Sequence, residues 1–207
     1  NGYFQSSLFQ KPLIRGLKSI CLQPDGKILL SGSTDTGITS YDFLLMRLKQ
    51  DGTLDSSFGG GGYVMTAYIP GWTGAREYIF STALQSDGKI VAYGYSDFLA
   101  DTLHIIRYHS DGEIDSSFGM NGRVKLAERF TYPTPNDIAV MPDGRIIVGA
   151  KAKISALNPP WGAYAFTAIR LLPNGSLDTS FNHTGIAYTN TNLGWLLYCT
   201  SMRLQAD

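Results

Sequence analysis

Short apolar runs separated by Asp-Gly or Asn-Gly pairs set the pattern of this chain. Runs such as Ile90-Val91-Ala92-Tyr93-Gly94 and Ile146-Ile147-Val148-Gly149 are apolar at consecutive positions, as expected of a strand covered on both faces. Asp-Gly or Asn-Gly between two such runs is a strong hairpin signal, and the turn expected of it is type I′, with both central residues at positive φ. Laying strands between the turns predicts a first strand over 17–23 and a second over 27–32. Third strands follow over 41–49, 102–109 and 165–172, and fourth strands over 62–68, 123–128 and 185–191. Four short strands per unit describe one blade of a β-propeller.

The units are copies of one another. Leu22-Gln23-Pro24-Asp25-Gly26-Lys27-Ile28 returns as Leu84-Gln85-Ser86-Asp87-Gly88-Lys89-Ile90 and as Val140-Met141-Pro142-Asp143-Gly144-Arg145-Ile146, and a fourth copy starts at Leu204-Gln205-Ala206-Asp207. Each unit has a second half. Arg47-Leu48-Lys49-Gln50-Asp51-Gly52-Thr53-Leu54-Asp55-Ser56-Ser57-Phe58-Gly59 is matched by residues Arg107 through Gly119 and, more loosely, by Arg170 through Asn182. Phe58, Phe118 and Phe181 recur at intervals of 60 and 63 residues, a spacing that identifies a repeat protein.

The motif resembles the delta-60 repeat, a family of bacterial, often surface or secreted, proteins. In its consensus an apolar residue and Gln-Pro-Asp-Gly-Lys-Ile are followed by Arg-Leu, an Asp-Gly turn and Leu-Asp-Ser-Ser-Phe-Gly. The resemblance covers essentially the whole chain. It implies an all-β propeller of four-stranded antiparallel blades and an extracellular or cell-surface location, and it carries no catalytic signature. Asn174 stands where the other copies have aspartate and Asn182 where they have glycine; both are expected to take the positive φ of the residue they replace.

About three and a half units are present, read as one repeat domain with units at approximately 1–60, 61–120, 121–183 and a partial 184–207. Propellers close with roughly four to eight blades, and Asn1-Gly2 and Asp207 both fall inside motifs. The expectation is therefore a piece of a larger ring, completed by further blades of the same polypeptide or by other chains.

Charge narrows the partners. Lysine plus arginine equals aspartate plus glutamate at 17 each, so no overall positive field draws nucleic acid. No apolar run approaches the roughly 20 residues of a membrane-spanning helix. Cys21 and Cys199 match no metal-ligand spacing and read as free thiols. His104, His109 and His183 fall at unrelated repeat positions with no nucleophile or paired carboxylate around them, so no catalytic set, metal site or cofactor is expected.

Arg47, Arg107 and Arg170 each precede an aspartate, Asp55, Asp115 and Asp178, by eight residues. A ring of anion-binding arginines is one reading; a charge-assisted bridge that holds the turn onto its blade is the one favoured, because a residue present in every copy serves the copy. Ser57, Ser117 and Ser180 are expected to cap turn amides, and the repeated phenylalanines to plug between blades. Function in repeat proteins concentrates where copies disagree. Residues 68–74 and 158–164 are such insertions, and they set Tyr68, Trp72, Trp161 and Tyr164 among prolines and glycines. Rigid aromatics suit a sugar ring or a protein surface, whereas Trp195 reads as core. The expected function is a non-catalytic binding or scaffold module for a carbohydrate or protein partner. A hydrolase or lyase with catalytic residues in absent blades, and a purely structural spacer, are the alternatives.

Overall fold

A computed structural model of the chain describes residues 13–35, 41–67, 76–96, 102–126, 131–154, 163–190 and 201–205. Among these residues the first blade holds β1 (Leu13–Leu22), β2 (Ile28–Asp35), β3 (Tyr41–Leu48) and β4 (Tyr63–Thr66). The second holds β5 (Glu77–Leu84), β6 (Ile90–Ser96), β7 (Thr102–Tyr108) and β8 (Arg123–Lys125). The third holds β9 (Thr131–Val140), β10 (Ile146–Ile154), β11 (Ala163–Leu171) and β12 (Ile186–Asn190). Each blade is an antiparallel meander whose strands pair in chain order. The outer strands are shorter than the sequence predicts, with β4 ending at Thr66 and β8 at Lys125.

The hairpin turns differ from the type I′ expectation. In all six, the glycine amide donates to the carbonyl three residues back, as in Gly26 N to Gln23 O at 2.9 Å and Gly112 N to His109 O at 3.1 Å. Only the glycine takes positive φ, 79° at Gly26 and 98° at Gly112; the preceding aspartates do not. This is a type I turn closed by a glycine bulge. The residue before the aspartate sits at the position that proline favours, which explains Pro24, Pro142 and Pro173. The aspartate supplies an acceptor instead of a positive φ, since Oδ1 of Asp51 takes the Thr53 amide at 2.9 Å and Oδ1 of Asp111 the Glu113 amide at 3.0 Å. Asn174 keeps that acceptor, with Oδ1 at 3.0 Å from the Ser176 amide, and it too stays out of the positive-φ region. Asn182 does lie there, at φ 48°, beside 58° at Gly59 and 55° at Gly119.

The cores lie between blades. One cluster joins Leu29, Phe43, Leu45 and Phe58 of the first blade to Ile79, Ile90, Ile106 and Tyr108 of the second. Another joins Val91, Tyr93, Ile105 and Phe118 of the second to Ile138, Ile146, Val148 and Ile169 of the third. Gly94 is dictated by this contact, because a Cβ there would overlap the Phe43 ring and the Tyr78 carbonyl.

Each innermost strand also carries a bulge at the same repeat position. Leu17 and Ser19 pair with the adjacent residues Gly32 and Ser31. Ile79 and Ser81 do so with Gly94 and Tyr93, and Pro135 and Asp137 with Ala150 and Gly149. The extra residues are Lys18, Phe80 and Asn136. A bulge re-aims the side chain that follows it, here Ser19, Ser81 and Asp137.

Glycines 52 and 112 occupy the same turn position but differ in surroundings. A Cβ at Gly52 would meet nothing within 4 Å, whereas at Gly112 it would lie 2.7 Å from Val64 Cγ2 and 3.1 Å from the Phe58 ring. Gly52→Ala should cost about 1–2 kcal/mol from backbone strain alone, and Gly112→Ala about 1–3 kcal/mol more from overpacking. Urea unfolding of the two variants measures the difference.

Candidate functional site

The second hairpin of each blade fixes the eight-residue spacing of the Arg and Asp pairs. Leu48 bridges to Leu54, and the Asp55 amide donates to the Arg47 carbonyl at 2.9 Å, so positions 47 and 55 face each other across the turn. Arg47 Nε donates to Asp55 Oδ2 at 2.8 Å, Arg107 to Asp115 at 2.8 Å and Arg170 to Asp178 at 2.7 Å. The second Nη of each arginine reaches the Ser57, Ser117 or Ser180 hydroxyl at 3.2, 3.3 and 3.0 Å. These serines do not cap turn amides as expected. Each hydroxyl donates to Oδ1 of its aspartate, and the same oxygen takes the serine amide, so the cap is the aspartate.

The guanidinium plane lies over the phenylalanine ring of its own blade, 4.7 Å from the Phe58 centroid, 4.5 Å from Phe118 and 4.6 Å from Phe181, within the range of a cation–π contact. Two of the arginines also cross to the neighbouring blade. Arg47 Nη1 donates to the Ser110 carbonyl at 2.5 Å and Arg107 Nη1 to the Pro173 carbonyl at 2.6 Å. Beside them the Gly59 and Gly119 amides donate to the Asp111 and Asn174 carbonyls, both at 2.8 Å, and the phenylalanines close on Gly112 and Gly175. Three consecutive residues of the next blade's turn are thus gripped, two by their carbonyls and the third by its missing side chain. The basic residue after the first Asp-Gly completes the cluster: Lys27 Nζ lies 3.5 Å from Asp55, Lys89 Nζ 3.8 Å from Asp115 and Arg145 Nη1 3.3 Å from Asp178.

A second contact runs along the innermost strands. Ser19 Oγ lies 3.2 Å from Thr82 Oγ1, and Ser81 Oγ donates to Asp137 Oδ1 at 2.7 Å. These groups, with Lys18 and Arg203, line a recess where the innermost strands of all three blades meet. Sequence reasoning missed it, although a polar residue four positions before Gln23, Gln85 and Met141 is visible in every copy.

Of the aromatic candidates, Tyr68, Trp72 and Trp161 lie outside the described residues, as do Trp195 and Cys199. Tyr164 is a strand residue and not part of a loop, because Ala163 and Tyr164 extend β11 by pairing with Ile154 and Lys153. The histidines do not come together. His104 is buried in β7 with Nε2 2.8 Å from Thr102 Oγ1, and burial together with the nearby Lys125 holds its pKa down at about 3. His109 sits in the second blade's turn, 3.8 Å from Asp115, and His183 at φ 59°. Among the described residues, no three His, Cys, Asp or Glu side chains form a group that could hold a metal ion, and no helix is long and apolar enough to cross a membrane.

A family model described as "Domain of unknown function (DUF5122) beta-propeller" matches residues 23–58, 85–118 and 142–181, more than half of the chain. The chain belongs to that family. No curated protein matches it. The three matched segments run from the first Asp-Gly turn of a blade to its phenylalanine, so the part of the DUF5122 propeller that repeats is the part that builds the clamp.

The clamp carboxylates of this propeller are strongly stabilised as anions. The Ser57 hydroxyl, then its amide and Arg47, outweigh burial and bring Asp55 down to about 2, and the Ser180 hydroxyl leads the same effect on Asp178, also to about 2. At Asp115 burial opposes ionisation most strongly, yet Ser117 and Arg107 together still lower the pKa. A folded-state pKa below the free value of 3.8 gives a stabilisation that is complete above that value and is lost as pH falls toward 2. The urea midpoint should therefore drop steeply between about pH 4 and pH 2, and Asp115→Asn should flatten that drop. Removing a buried partner leaves an uncompensated charge, so Arg107→Ala should cost about 3–5 kcal/mol. Arg170→Ala should cost only about 1–2 kcal/mol, because Arg170 makes no crossing bond to another described blade and Arg145 still neutralises Asp178.

Proposed function

We propose that this propeller is a non-catalytic binding module that holds a carbohydrate or a protein partner through the aromatic side chains of its unrepeated segments, Tyr68, Trp72 and Trp161, together with Tyr164 at the start of β11. One observation carries the reading. The Arg–Asp pairs that recur in every blade, and that would be the obvious anion site, are spent on their own turns and, at Arg47 and Arg107, on the next blade as well. Arg47 and Arg107 are 6% exposed and Asp55, Asp115 and Asp178 no more than 4%, with their hydrogen-bonding groups used on one another and on neighbouring backbone. The chemistry left for a partner is that of the insertions, which differ between blades and are rich in tryptophan and tyrosine. Large rigid rings give contact area at little entropic cost.

On the same reading the repeat is of the delta-60 type, supported by Gln-Pro-Asp-Gly-Lys-Ile at residues 23–28 and Leu-Asp-Ser-Ser-Phe-Gly at 54–59. A protein of that type works at the cell surface or after secretion. A glycan array probed with the protein should give a saturable signal for at least one glycan class, weakened by about 10-fold or more in Trp72→Ala or Trp161→Ala. An array with no signal above background would remove the carbohydrate version.

A further inference from the structure

We propose that the recess where the innermost strands of the three blades meet binds a small carboxylated sugar, of the uronic acid class, with Lys18 and Arg203 on its carboxylate and the Ile138 carbonyl on one of its hydroxyls. The recess measures about 510 Å³, within the roughly 300–1,000 Å³ of small-molecule sites. Its charged residues stand where the copies disagree. The position of Asp137 is taken by Ser19 and Ser81 in the other blades, and Arg203 stands at the position of Cys21, Ala83 and Ala139. Lys18 is the extra residue of the first bulge, where the second bulge has Phe80. Residues that the blade needs recur in every copy, so an unrepeated charged set gathered in one recess is available to a ligand.

The polar groups of the recess divide into those already used and those left over. Asp137 is used. Its Oδ1 accepts from the Ser81 hydroxyl at 2.7 Å and the Ile138 amide at 2.9 Å, and its Oδ2 accepts from the Met202 amide at 2.9 Å and lies 3.6 Å from Arg203 Nη1. The carboxylate therefore ties the innermost strands together and offsets one of the two cations. Among the described residues the Lys18 ammonium has no ion-pair or hydrogen-bond partner, and Arg203 donates only from Nη1, to the Met202 carbonyl at 2.8 Å. Asp137 is the one acid in the lining, so the recess keeps an excess positive charge together with unused ammonium and guanidinium donors. A carboxylate answers both.

An acceptor is left over as well. Between the first and second blades the Thr82 amide donates to Ser19 Oγ at 3.3 Å and Cys21 Sγ donates to the Thr82 carbonyl at 3.1 Å, so both backbone groups on the free edge of β5 are paired. One blade on, Ile138 holds the place of Thr82, and its amide is taken by Asp137 Oδ1. Ala83 holds the place of Cys21 and has no donor to offer, so the Ile138 carbonyl stays open as an acceptor at the wall of the recess. Phe80, half-buried in the same lining, adds apolar surface for the C–H face of a sugar ring. A bare anion would use only the cations, and a neutral sugar would leave Lys18 unanswered. A carboxylate, hydroxyl donors and an apolar face in one small molecule are the chemistry of a sugar acid.

Galacturonic acid titrated into the full chain and followed by amide chemical shifts tests the site. The Ser81, Thr82, Ile138 and Met202 amides should shift saturably, with a Kd of about 1 mM or below, and the methyl ester of the same sugar should bind about 10-fold or more weakly. Lys18 and Arg203 are exposed, so Lys18→Met and Arg203→Gln should leave the melting temperature unchanged while each weakens the acid about 10-fold. Ala83→Cys, which offers the Ile138 carbonyl the donor that Cys21 gives to Thr82, should weaken the acid about 3-fold or more and leave its preference over the ester unchanged. An acid that shifts none of these amides, an ester that binds as well as the acid, or affinity indifferent to all three substitutions would overturn the proposal. So would acetate reproducing the same shifts at the same concentration, since a site for a bare anion would then be enough.

Discussion

The structure depends on what the arginine at positions 47, 107 and 170 does with its three nitrogens. Nε and one Nη hold the aspartate and serine of its own turn, while the other Nη at positions 47 and 107 is bonded to a carbonyl of the next blade. A lysine could not do this, because it is a single flexible point charge and the site needs a planar fork with donors fixed in three directions. A four-stranded blade has two apolar faces and cannot bury either by itself, so stacking supplies the core. The arginine fork sets the register in which the faces meet. It also places the phenylalanine over a glycine, so that hydrophobic burial and hydrogen bonding depend on the same turn.

Burying a charged pair is costly unless every lone pair and proton is used, and here the repeat uses them. Oδ1 of Asp55 accepts from the Ser57 amide and hydroxyl, while Oδ2 accepts from Arg47 and faces Lys27. Four residue types that recur in the letters are therefore one network and not four separate features. The hydrogen-bonding groups of the buried Arg47–Asp55 and Arg107–Asp115 pairs are thereby occupied within the network and by the next blade.

Much of the fold was legible in the sequence. The Asp-Gly turns and the apolar runs located ten of the twelve described strands, all but β5 and β9, missing mostly at their ends, where pairing with a neighbour decides the boundary and a propensity does not. The turn class was misjudged because Asp-Gly was read as a pair of positive-φ residues, whereas Pro24 and its equivalents already signal a type I turn with glycine alone in the bulge. The phenylalanine plug between blades was legible, with Phe58 and Phe118 closing on Gly112 and Gly175, but the hydrogen bonds of the link were not, because their acceptors are backbone carbonyls such as those of Ser110 and Pro173 and a carbonyl leaves no trace in residue identity. The bulges at Lys18, Phe80 and Asn136 share no side-chain type for the same reason. Lys27, Lys89 and Arg145 were legible as a basic position in every copy, but their partner lies in the other half of the blade.

The most direct test of the central claim, that the arginine clamp couples adjacent blades, is native-state hydrogen exchange at the Gly119 amide, which is bonded to the Asn174 carbonyl of the third blade. With the clamp intact, Gly119 should exchange with the same opening free energy as Ile105 and Val148, in the cores of the second and third blades. In Arg107→Lys all three should fall together. If Gly119 alone loses protection while Val148 keeps that of the parent protein, the clamp is a local turn feature and does not hold the blades together.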